Sequence, residues 1–347
     1  MKKGILIFLF ISLFDGFCQA KLIRLGVINP TPQNLEKIVV LIDNGYIDLD
    51  SMEIIGIYHE SQSNSIKLTN EFVEKNGYTN ISISTIKYSI PMDSMFVKNK
   101  WTNDFKEIFL KTDGLIFFGG DDIPPALYGE KTFLTTELIS SGRTWEISFL
   151  FHLLGGYQNK EIVPLLEQKP DYLILGICLG MQEMNVASGG SMYQDIPFQI
   201  YKKTNYESVL KQDTEKQHLN YRDRIDNRTD SDSFLHFHHI RIISNSILDY
   251  EQIQKPLVTS VHHQSVKKIG KNFKVSATSM DKKVIEAMEN SKYPNVYGIQ
   301  FHTDYSILYK QNKFRDSQDK VISFDNMDRQ FHMLFWKDFC VRLNNGK

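Results

Sequence analysis

Short apolar segments alternate with helical patterns through the first half of the chain, and this alternation limits the possible folds more than any other feature. The apolar segments are bounded by turn residues, as strands buried on both faces of a sheet often are. Alternating strands and helices predict βαβ units, in which a mostly parallel sheet lies between two layers of helices. The predicted strands span residues 22–28, 53–58, 81–86, 114–118 and 172–177, and the predicted helices include 35–44 and 68–76.

The second half of the chain has a different pattern. Residues 202–233, here called the excursion, are polar and charge-rich, and they predict a long surface loop or lid. Strand-like segments follow the excursion at residues 239–243, 257–261, 273–277, 284–288 and 296–301. The sequence contains no evident repeat, low-complexity tract or linker, so residues 21–347 are predicted to form one domain with the excursion inserted in it.

The composition restricts the classes of function. The chain has 347 residues, 41% of them hydrophobic, and its formal net charge is −1. This is an ordinary globular composition, and without a basic excess we expect no nucleic acid partner. The composition does not indicate an oligomeric state.

The first twenty residues have the layout of a secretory signal peptide. Two lysines precede an apolar run at residues 5–14, and Ala20 is the small residue that signal peptidase requires. The run is too short to span a bilayer. The alternatives are a buried N-terminal strand, or a lipoprotein signal lipidated at Cys18, for which Phe17 is too bulky a neighbour. We therefore predict cleavage after Ala20 and a secreted or periplasmic protein without stable membrane association.

The segment Gly176-Ile177-Cys178-Leu179-Gly180 joins the predicted strand at 172–177 to a helical pattern directly behind the cysteine. A strand, a sharp glycine-flanked turn and a helix form the layout of a nucleophile elbow, where the helix N-terminus stabilises a thiolate. After signal cleavage only Cys178 and Cys340 remain, too few for a disulfide framework. An unpaired thiol in an oxidising compartment favours catalysis by Cys178. The alternative is a buried cysteine at the end of a core strand.

Two further segments carry groups that can act with a cysteine nucleophile. Gly119-Gly120 follows a predicted strand, and backbone N–H groups exposed in such a turn can hold an oxyanion, although a turn of this kind is often only structural. His302 follows another strand, and Asp304 lies two residues later on the same side of an extended chain. A nucleophile, a base and an orienting acid form a catalytic triad, so Cys178, His302 and Asp304 are the predicted catalytic residues.

A pair of histidines, His262 and His263, follows the predicted strand at 257–261. Adjacent residues on a strand point to opposite faces, and no carboxylate or cysteine lies at metal-ligand spacing near them in the sequence. We therefore predict no metal site.

Four motifs follow one another between Gly114 and Asp304 in a recognisable order. They are Phe118-Gly119-Gly120-Asp121-Asp122-Ile123-Pro124-Pro125 with Tyr128-Gly129-Glu130, the elbow and helix at 176–187 with Gly189-Gly190-Ser191, His262-His263-Gln264-Ser265-Val266-Lys267, and Gly298-Ile299-Gln300-Phe301-His302. With these motifs the chain resembles the γ-glutamyl hydrolase branch of the class I glutamine amidotransferase-like superfamily, which includes bacterial γ-glutamyl-GABA hydrolases. The resemblance implies a flavodoxin-like form of the three-layer α/β fold.

The resemblance also implies roles for single residues. Cys178 would be the nucleophile and His302 the general base and then acid. The backbone N–H groups of Gly120 and Leu179 would form the oxyanion hole.

The same resemblance assigns substrate contacts and exposes one departure from the family. Gln182 matches a position that contacts the bound glutamyl group, and His263 is the second expected substrate-binding residue. The family usually has His-Pro-Glu where this chain has His302-Thr303-Asp304. Aspartate is one methylene shorter than glutamate, which leaves open whether its carboxylate reaches the histidine Nδ1.

The predicted activity is hydrolysis of γ-glutamyl amide bonds in a small substrate by an exported cysteine hydrolase, through a thioester and without a cofactor. The first alternative is a glutamine amidotransferase-like domain that serves a synthase partner. The second is a catalytically inactive protein that binds glutamyl ligands. The secretory signal favours the hydrolase, because ammonia-channelling synthases work in the cytosol. Contacts that select the leaving group are expected from residues 122–145 and from the excursion.

Overall fold

A computed structural model describes residues 22–49, 51–137, 143–226, 235–250, 253–310, 313–315, 318 and 320–346. The predicted signal peptide and part of the excursion lie outside these residues. Ten of the strands form one sheet. Six of them run parallel to one another: β1 (Ile23–Ile28), β2 (Met52–His59), β3 (Ile81–Ile86), β4 (Gly114–Phe117), β5 (Leu173–Ile177) and β12 (Val296–Ile299).

The remaining strands are antiparallel to their neighbours. Four of them extend the central sheet: β7 (His236–Ile242), β8 (Leu257–Ser260), β10 (Phe273–Ser279) and β11 (Ile285–Asn290). Two small ribbons pair β6 (Ser191–Tyr193) with β9 (Ser265–Lys268) and β13 (Lys313–Arg315) with β14 (Val321–Ser323). The strand order in the central sheet is β3-β2-β1-β4-β5-β12-β11-β10-β7-β8.

The helices divide into long ones that cover the sheet and short ones in the connections. The long helices are α1 (Pro32–Asp43), α2 (Ser63–Asn76), α3 (Trp101–Lys111), α4 (Thr144–Leu154), α5 (Leu179–Ala187) and α10 (Asn326–Asn345). The short helices are α6 (Ile196–Gln199), α7 (Tyr206–Leu210), α8 (Asp223–Asp226) and α9 (Ile307–Lys310). In the described part of the chain, none of these helices has the length and hydrophobicity needed to cross a bilayer.

The core lies in two layers because every residue of β5 is buried and successive side chains point to opposite faces. Ile174 packs in the cluster that holds the apolar sides of α3, α4 and α5. Leu173 and Leu175 pack in the other cluster, with α1 and α10. The prediction of a three-layer α/β fold with a mostly parallel sheet is therefore confirmed.

The candidate site lies where three neighbouring parallel strands end. The sheet places β4, β5 and β12 side by side, and the predicted Gly-Gly turn, Cys178 and His302 follow their carboxyl ends. Open parallel sheets bind ligands at this edge. The helix α1 also begins here, because Thr31 accepts a hydrogen bond from the Asn34 N–H and Pro32 supplies the preset backbone angle of the first turn.

Candidate active site

Cys178 occupies a strained turn between β5 and α5. Its φ angle is 56°, a value that residues other than glycine rarely adopt. The backbone holds this conformation in part through a hydrogen bond of 2.7 Å from the Cys178 N–H to the Ile299 carbonyl on β12. The turn places Cys178 in the wall of a small polar cavity, as a nucleophile elbow does.

Close packing around Gly180 requires a glycine at that position. A Cβ added there would fall on the Phe117 carbonyl, 2.7 Å from its carbon atom, so β4 would have to move. The elbow therefore depends on contact between the first turn of α5 and the end of β4.

We expect Gly180→Ala to lower the free energy of unfolding by about 3 kcal/mol, because backbone atoms cannot yield as a flexible side chain can. Urea unfolding measures this change. Gly45→Asn is the matched control: Gly45 has a left-handed conformation (φ 71°) with open space around it, and asparagine tolerates that conformation. Equal stability of Gly180→Ala and the wild type would contradict the packing argument.

His302 and Asp304 are held together at the end of β12. His302 Nδ1 lies 2.8 Å from Asp304 Oδ1, and both side chains are buried. The backbone of His302 is fixed to β8 by hydrogen bonds of 2.9 and 2.8 Å with Thr259. Since Nδ1 faces the carboxylate, Nε2 is left for the side-chain hydrogen bond with Cys178. The shorter aspartate thus reaches the histidine directly.

A lysine that the sequence did not indicate completes this group. Lys37 Nζ, from α1, lies 2.6 Å from Asp304 Oδ2 and 3.9 Å from the centre of the Tyr305 ring. One carboxylate oxygen therefore pairs with the histidine and the other with the lysine. Nothing in the local pattern points to Lys37, which lies 267 residues before Asp304.

These contacts determine the charges of the pair. Burial by itself would lower the pKa of His302, but the Asp304 carboxylate and the hydrogen bonds with Asp304 and Cys178 raise it to about 9. Burial would raise the pKa of Asp304, but Lys37 and His302 hold it well below its usual range. At neutral pH the site therefore contains an imidazolium beside the cysteine and a carboxylate behind the imidazolium.

The Gly119-Gly120 turn lies against this pair. A Cβ on Gly119 would be 3.5 Å from His302 Cε1 and 3.8 Å from Cys178 Sγ, so the turn borders the space between them. Gly120 and Leu179, the expected oxyanion-hole residues, both line the polar cavity with Cys178, which has a volume of about 160 Å³. This arrangement brings two backbone segments with N–H groups to the nucleophile.

A buried ionic group supports the turn from behind. A Cβ on Gly120 would lie 2.5 Å from Arg143 Nη2. The Arg143 guanidinium lies 3.5 Å from a Glu146 oxygen and 3.7 Å from a Glu183 oxygen, and both glutamates are buried. Burial raises the pKa of Glu146 to about 7 and that of Glu183 to about 8, although the guanidinium lowers both. Arg143 therefore lies between two buried carboxyl groups and occupies the space that a side chain on Gly120 would need.

Two glutamines connect the cavity to the nucleophile. Gln182, an expected substrate-binding residue, lines the cavity and donates a hydrogen bond of 3.2 Å from Nε2 to Gln300 Oε1. Gln300 in turn donates from Nε2 to Cys178 Sγ at 3.7 Å. No local pattern indicates a role for Gln300, because only the β12–β5 pairing brings it beside the cysteine.

His263 lines the same cavity and is held between two carboxylates. Its ring nitrogens lie 3.0 Å from Asp122 and 3.3 Å from Asp195. Burial would lower the pKa of His263, but these hydrogen bonds raise it to about 10. His262 and His263 follow β8 rather than belonging to it, and the His262 ring is buried beside Glu286. No carboxylate lies near His262 in the sequence at the spacing of a metal ligand, but the fold brings Glu286 of β11 beside it.

The excursion forms a wall of the site. Its described part contains α7 and α8, and the buried residues Gln217, His218, Asn220 and Tyr221 lie between these helices. Leu219 and Arg224 line the polar cavity. Of the two predicted alternatives, a surface loop or a lid, an exposed loop does not describe this central part, because its backbone is tied to the end of β8 by hydrogen bonds to the His218 carbonyl.

The Peptidase C26 family matches residues 53–304, and the site described above lies almost wholly within that range. The chain belongs to the Peptidase C26 family. This confirms the expected superfamily of glutamine amidotransferase-like proteins, whereas the γ-glutamyl hydrolase branch remains a prediction.

Relatives of this Peptidase C26 protein carry related names. It is 27% identical over 254 residues to the "Putative glutamine amidotransferase-like protein YvdE" of Lactococcus lactis, covering 73% of this chain and 91% of that protein. It is 28% identical to the "Putative glutamine amidotransferase-like protein RP404" of Rickettsia prowazekii, covering 56% and 70%. A solved glutamine amidotransferase of Thermotoga maritima aligns over 92% of this chain and 98% of its own, with 10% identity and a TM-score of 0.40.

Proposed function

We propose that this Peptidase C26 protein is a cysteine hydrolase that cleaves γ-glutamyl amide bonds. The observation that carries the proposal is the buried Cys178–His302–Asp304 arrangement at a strained elbow, which opens into a small polar cavity. A thiolate beside an imidazolium is the form of cysteine that attacks carbonyl carbon.

In the proposed reaction the Cys178 thiolate attacks the γ-carbonyl carbon of the substrate. The backbone N–H groups of Gly120 and Leu179 hold the resulting oxyanion. His302 gives its proton to the leaving amine as the C–N bond breaks, which leaves a glutamyl thioester on Cys178. His302 then takes a proton from water, whose oxygen attacks the thioester, and glutamate leaves with the thiolate restored. Asp304, paired with Lys37, keeps the imidazole oriented throughout.

The polar cavity provides groups for both charged ends of a glutamyl unit. Arg224 and Glu137 form an ion pair at 3.1 Å, and both line the cavity together with Gln182. A guanidinium matches an α-carboxylate and a carboxylate matches an α-ammonium group. We propose that this pair separates to bind the zwitterionic end of the substrate, while the γ-carbonyl extends toward Cys178.

A larger cavity beside the polar one provides space for the leaving group. Its volume is about 570 Å³, and it shares Arg224 and His263 with the polar cavity. Its other lining residues come largely from the segments expected to select the leaving group, and they include Phe133, Leu134, Tyr206, Val209 and Tyr221. This lining favours an amine that bears an apolar or aromatic body. Glutamine would leave the cavity unused because it releases only ammonia, and this favours the hydrolase over an amidotransferase.

We also propose that residues 1–20 direct export and are removed after Ala20. The support is the pattern of two lysines, an apolar run and a small residue described above. N-terminal sequencing of protein recovered outside the cytosol will test it: the mature chain is expected to begin at Lys21.

A panel of γ-glutamyl substrates tests the proposed activity. We expect glutamate release from γ-glutamyl amides with aromatic or apolar amines to exceed release from glutamine. Activity on glutamine alone would favour the amidotransferase alternative. Tight binding of the amides without turnover by freshly reduced protein would favour an inactive binding protein.

The assignment of Arg224 predicts a change in substrate binding. Arg224→Gln is expected to raise KM about 10- to 100-fold with little change in kcat, because the α-carboxylate loses a charge-assisted hydrogen bond in ground and transition states alike. Steady-state kinetics measure both constants. Lys211→Gln is the matched control, since Lys211 is an exposed cation on the same excursion outside both cavities. Unchanged KM in Arg224→Gln would contradict the assignment.

A further inference from the structure

A group of buried histidines surrounds a buried glutamate behind the wall of the polar cavity. His218 comes from the excursion, His238 from β7 and Glu286 from β11, and one ligand atom of each lies within 4.8 Å of the other two. His262, which follows β8, places Nε2 3.8 Å from Glu286 Oε2. Four separate segments of the chain thus bring nitrogen or oxygen ligands to one buried place.

These polar atoms have no hydrogen-bond partner among the described residues. This holds for both ring nitrogens of His218 and His238, for both carboxylate oxygens of Glu286 and for Nε2 of His262. His218 Nδ1 lies 3.1 Å from Glu286 Oε1, yet the geometry is not that of a hydrogen bond. Buried polar groups are normally paired, because desolvation without compensation is costly. Their convergence here indicates a ligand that takes one atom from each of these side chains.

The spacing and tautomers of this group fit a metal ion. Nitrogen and oxygen ligands around tetrahedral Zn²⁺ lie about 3.3 Å apart, given metal–ligand distances of about 2.0–2.1 Å. Glu286 Oε1 lies 3.1 Å from His218 Nδ1 and 4.0 Å from His238 Nε2, and the other carboxylate oxygen, Oε2, lies 3.8 Å from His262 Nε2. His262 donates its Nδ1–H to the Gln264 carbonyl at 2.8 Å, which leaves the Nε2 lone pair for a metal.

We propose that His218, His238 and Glu286 bind one divalent transition metal ion, with Zn²⁺ as the best match, and that the neighbouring His262 ring turns toward the ion as the fourth ligand. Imidazole nitrogen is a preferred ligand of zinc, whereas Mg²⁺ and Ca²⁺ prefer oxygen ligands. Four protein ligands leave no open coordination position, so the site is structural rather than catalytic.

The bound ion joins the excursion to the sheet. The His218 carbonyl already accepts hydrogen bonds from the His262 N–H at 2.9 Å and from Ser260 Oγ at 2.6 Å. The next residue, Leu219, lines both cavities. A metal held by His218, His238 and Glu286 therefore stabilises the wall that bounds the proposed substrate site, and this inference does not depend on the reaction.

The test uses Cys178→Ala protein, so that the thiol cannot bind zinc. Metal analysis after equilibration with Zn²⁺ and removal of the excess is expected to give about one zinc ion per chain. A hundredfold excess over the dissociation constant should raise Tm by about 4 °C. Co²⁺ should give the visible absorption of a tetrahedral site.

His238→Gln should weaken zinc binding at least about 100-fold and remove the Tm shift. His239→Gln is the matched control, because His239 is the next residue of β7 and its ring pairs with Glu215 at 2.7 Å instead. If His238→Gln does not fold, Glu286→Gln takes its place. Failure of Cys178→Ala protein to take up zinc or cobalt would overturn the proposal, as would equal binding by the His238 and His239 variants.

Discussion

Replacement of Cys178 by alanine will reduce glutamate release from γ-glutamyl amides roughly 10⁶-fold, to the limit of detection, because no other group can form the thioester. The loss should appear in kcat, since the cavity residues that bind the glutamyl unit remain. The free energy of unfolding should change little, because alanine and cysteine both carry a Cβ and meet the same backbone strain at a φ of 56°. Activity assays and thermal unfolding of the same preparation separate the two effects.

Cys340 is the matched control for this prediction. It is also buried, and burial raises the pKa of its thiol to about 11. Cys340→Ala should therefore keep full activity, and iodoacetamide should label Cys178 rather than Cys340 in the folded protein. Full activity in Cys178→Ala would contradict the proposed mechanism.

Asp304→Asn will lower kcat roughly 10² to 10⁴-fold, by analogy with removal of the orienting acid in serine protease triads. An amide keeps the shape of the carboxylate but cannot stabilise the imidazolium. The effect should also appear in the pH profile of kcat/KM. In the wild type the alkaline limb should lie near pH 9, where His302 loses its proton. In Asp304→Asn it should move toward the ordinary histidine pKa of 6.5.

The stability of the folded protein should depend on pH through the same pair. The folded-state pKa of His302 is above its unfolded value, so its stabilising contribution is complete below about pH 6.5 and is lost as the pH rises through about 9. The folded-state pKa of Asp304 is below its ordinary 3.8, so its contribution is present above that value and is lost in stronger acid. In Asp304→Asn the acid-side contribution should be absent and the alkaline one should be smaller, because only Cys178 then raises the pKa of His302.

A substitution of Lys37 tests the orienting role of Asp304 without removing its carboxylate. Lys37→Met leaves one Asp304 oxygen without its cation, so we expect a smaller loss of kcat than in Asp304→Asn and a partial shift of the alkaline limb. Glu36→Gln, an exposed change on the same helix, should have no effect. An unshifted pH profile in Asp304→Asn would show that His302 does not depend on this carboxylate.

The layered fold and the elbow could be predicted from the sequence because both depend on local patterns of residues. Strand β5 is apolar throughout since it is buried on both faces, and Gly180 is required by contact with the adjacent strand. The order of strand, cysteine and helix then places the thiol at the carboxyl edge of the sheet. The excursion was harder to interpret, because its polar composition resembles that of a solvent-exposed loop.

By itself the sequence determined the three-layer architecture, the elbow at Cys178 and the proximity of His302 to Asp304, all of which depend on residues near one another in the chain. Only the tertiary structure decided that Lys37 pairs with Asp304, that Gln300 reaches the thiol and that His218, His238, His262 and Glu286 converge. These groups come from segments that meet only when the strands pair and the helices cover the sheet. Long-range contacts leave no periodic pattern in the chain, because they depend on packing rather than on local backbone preference.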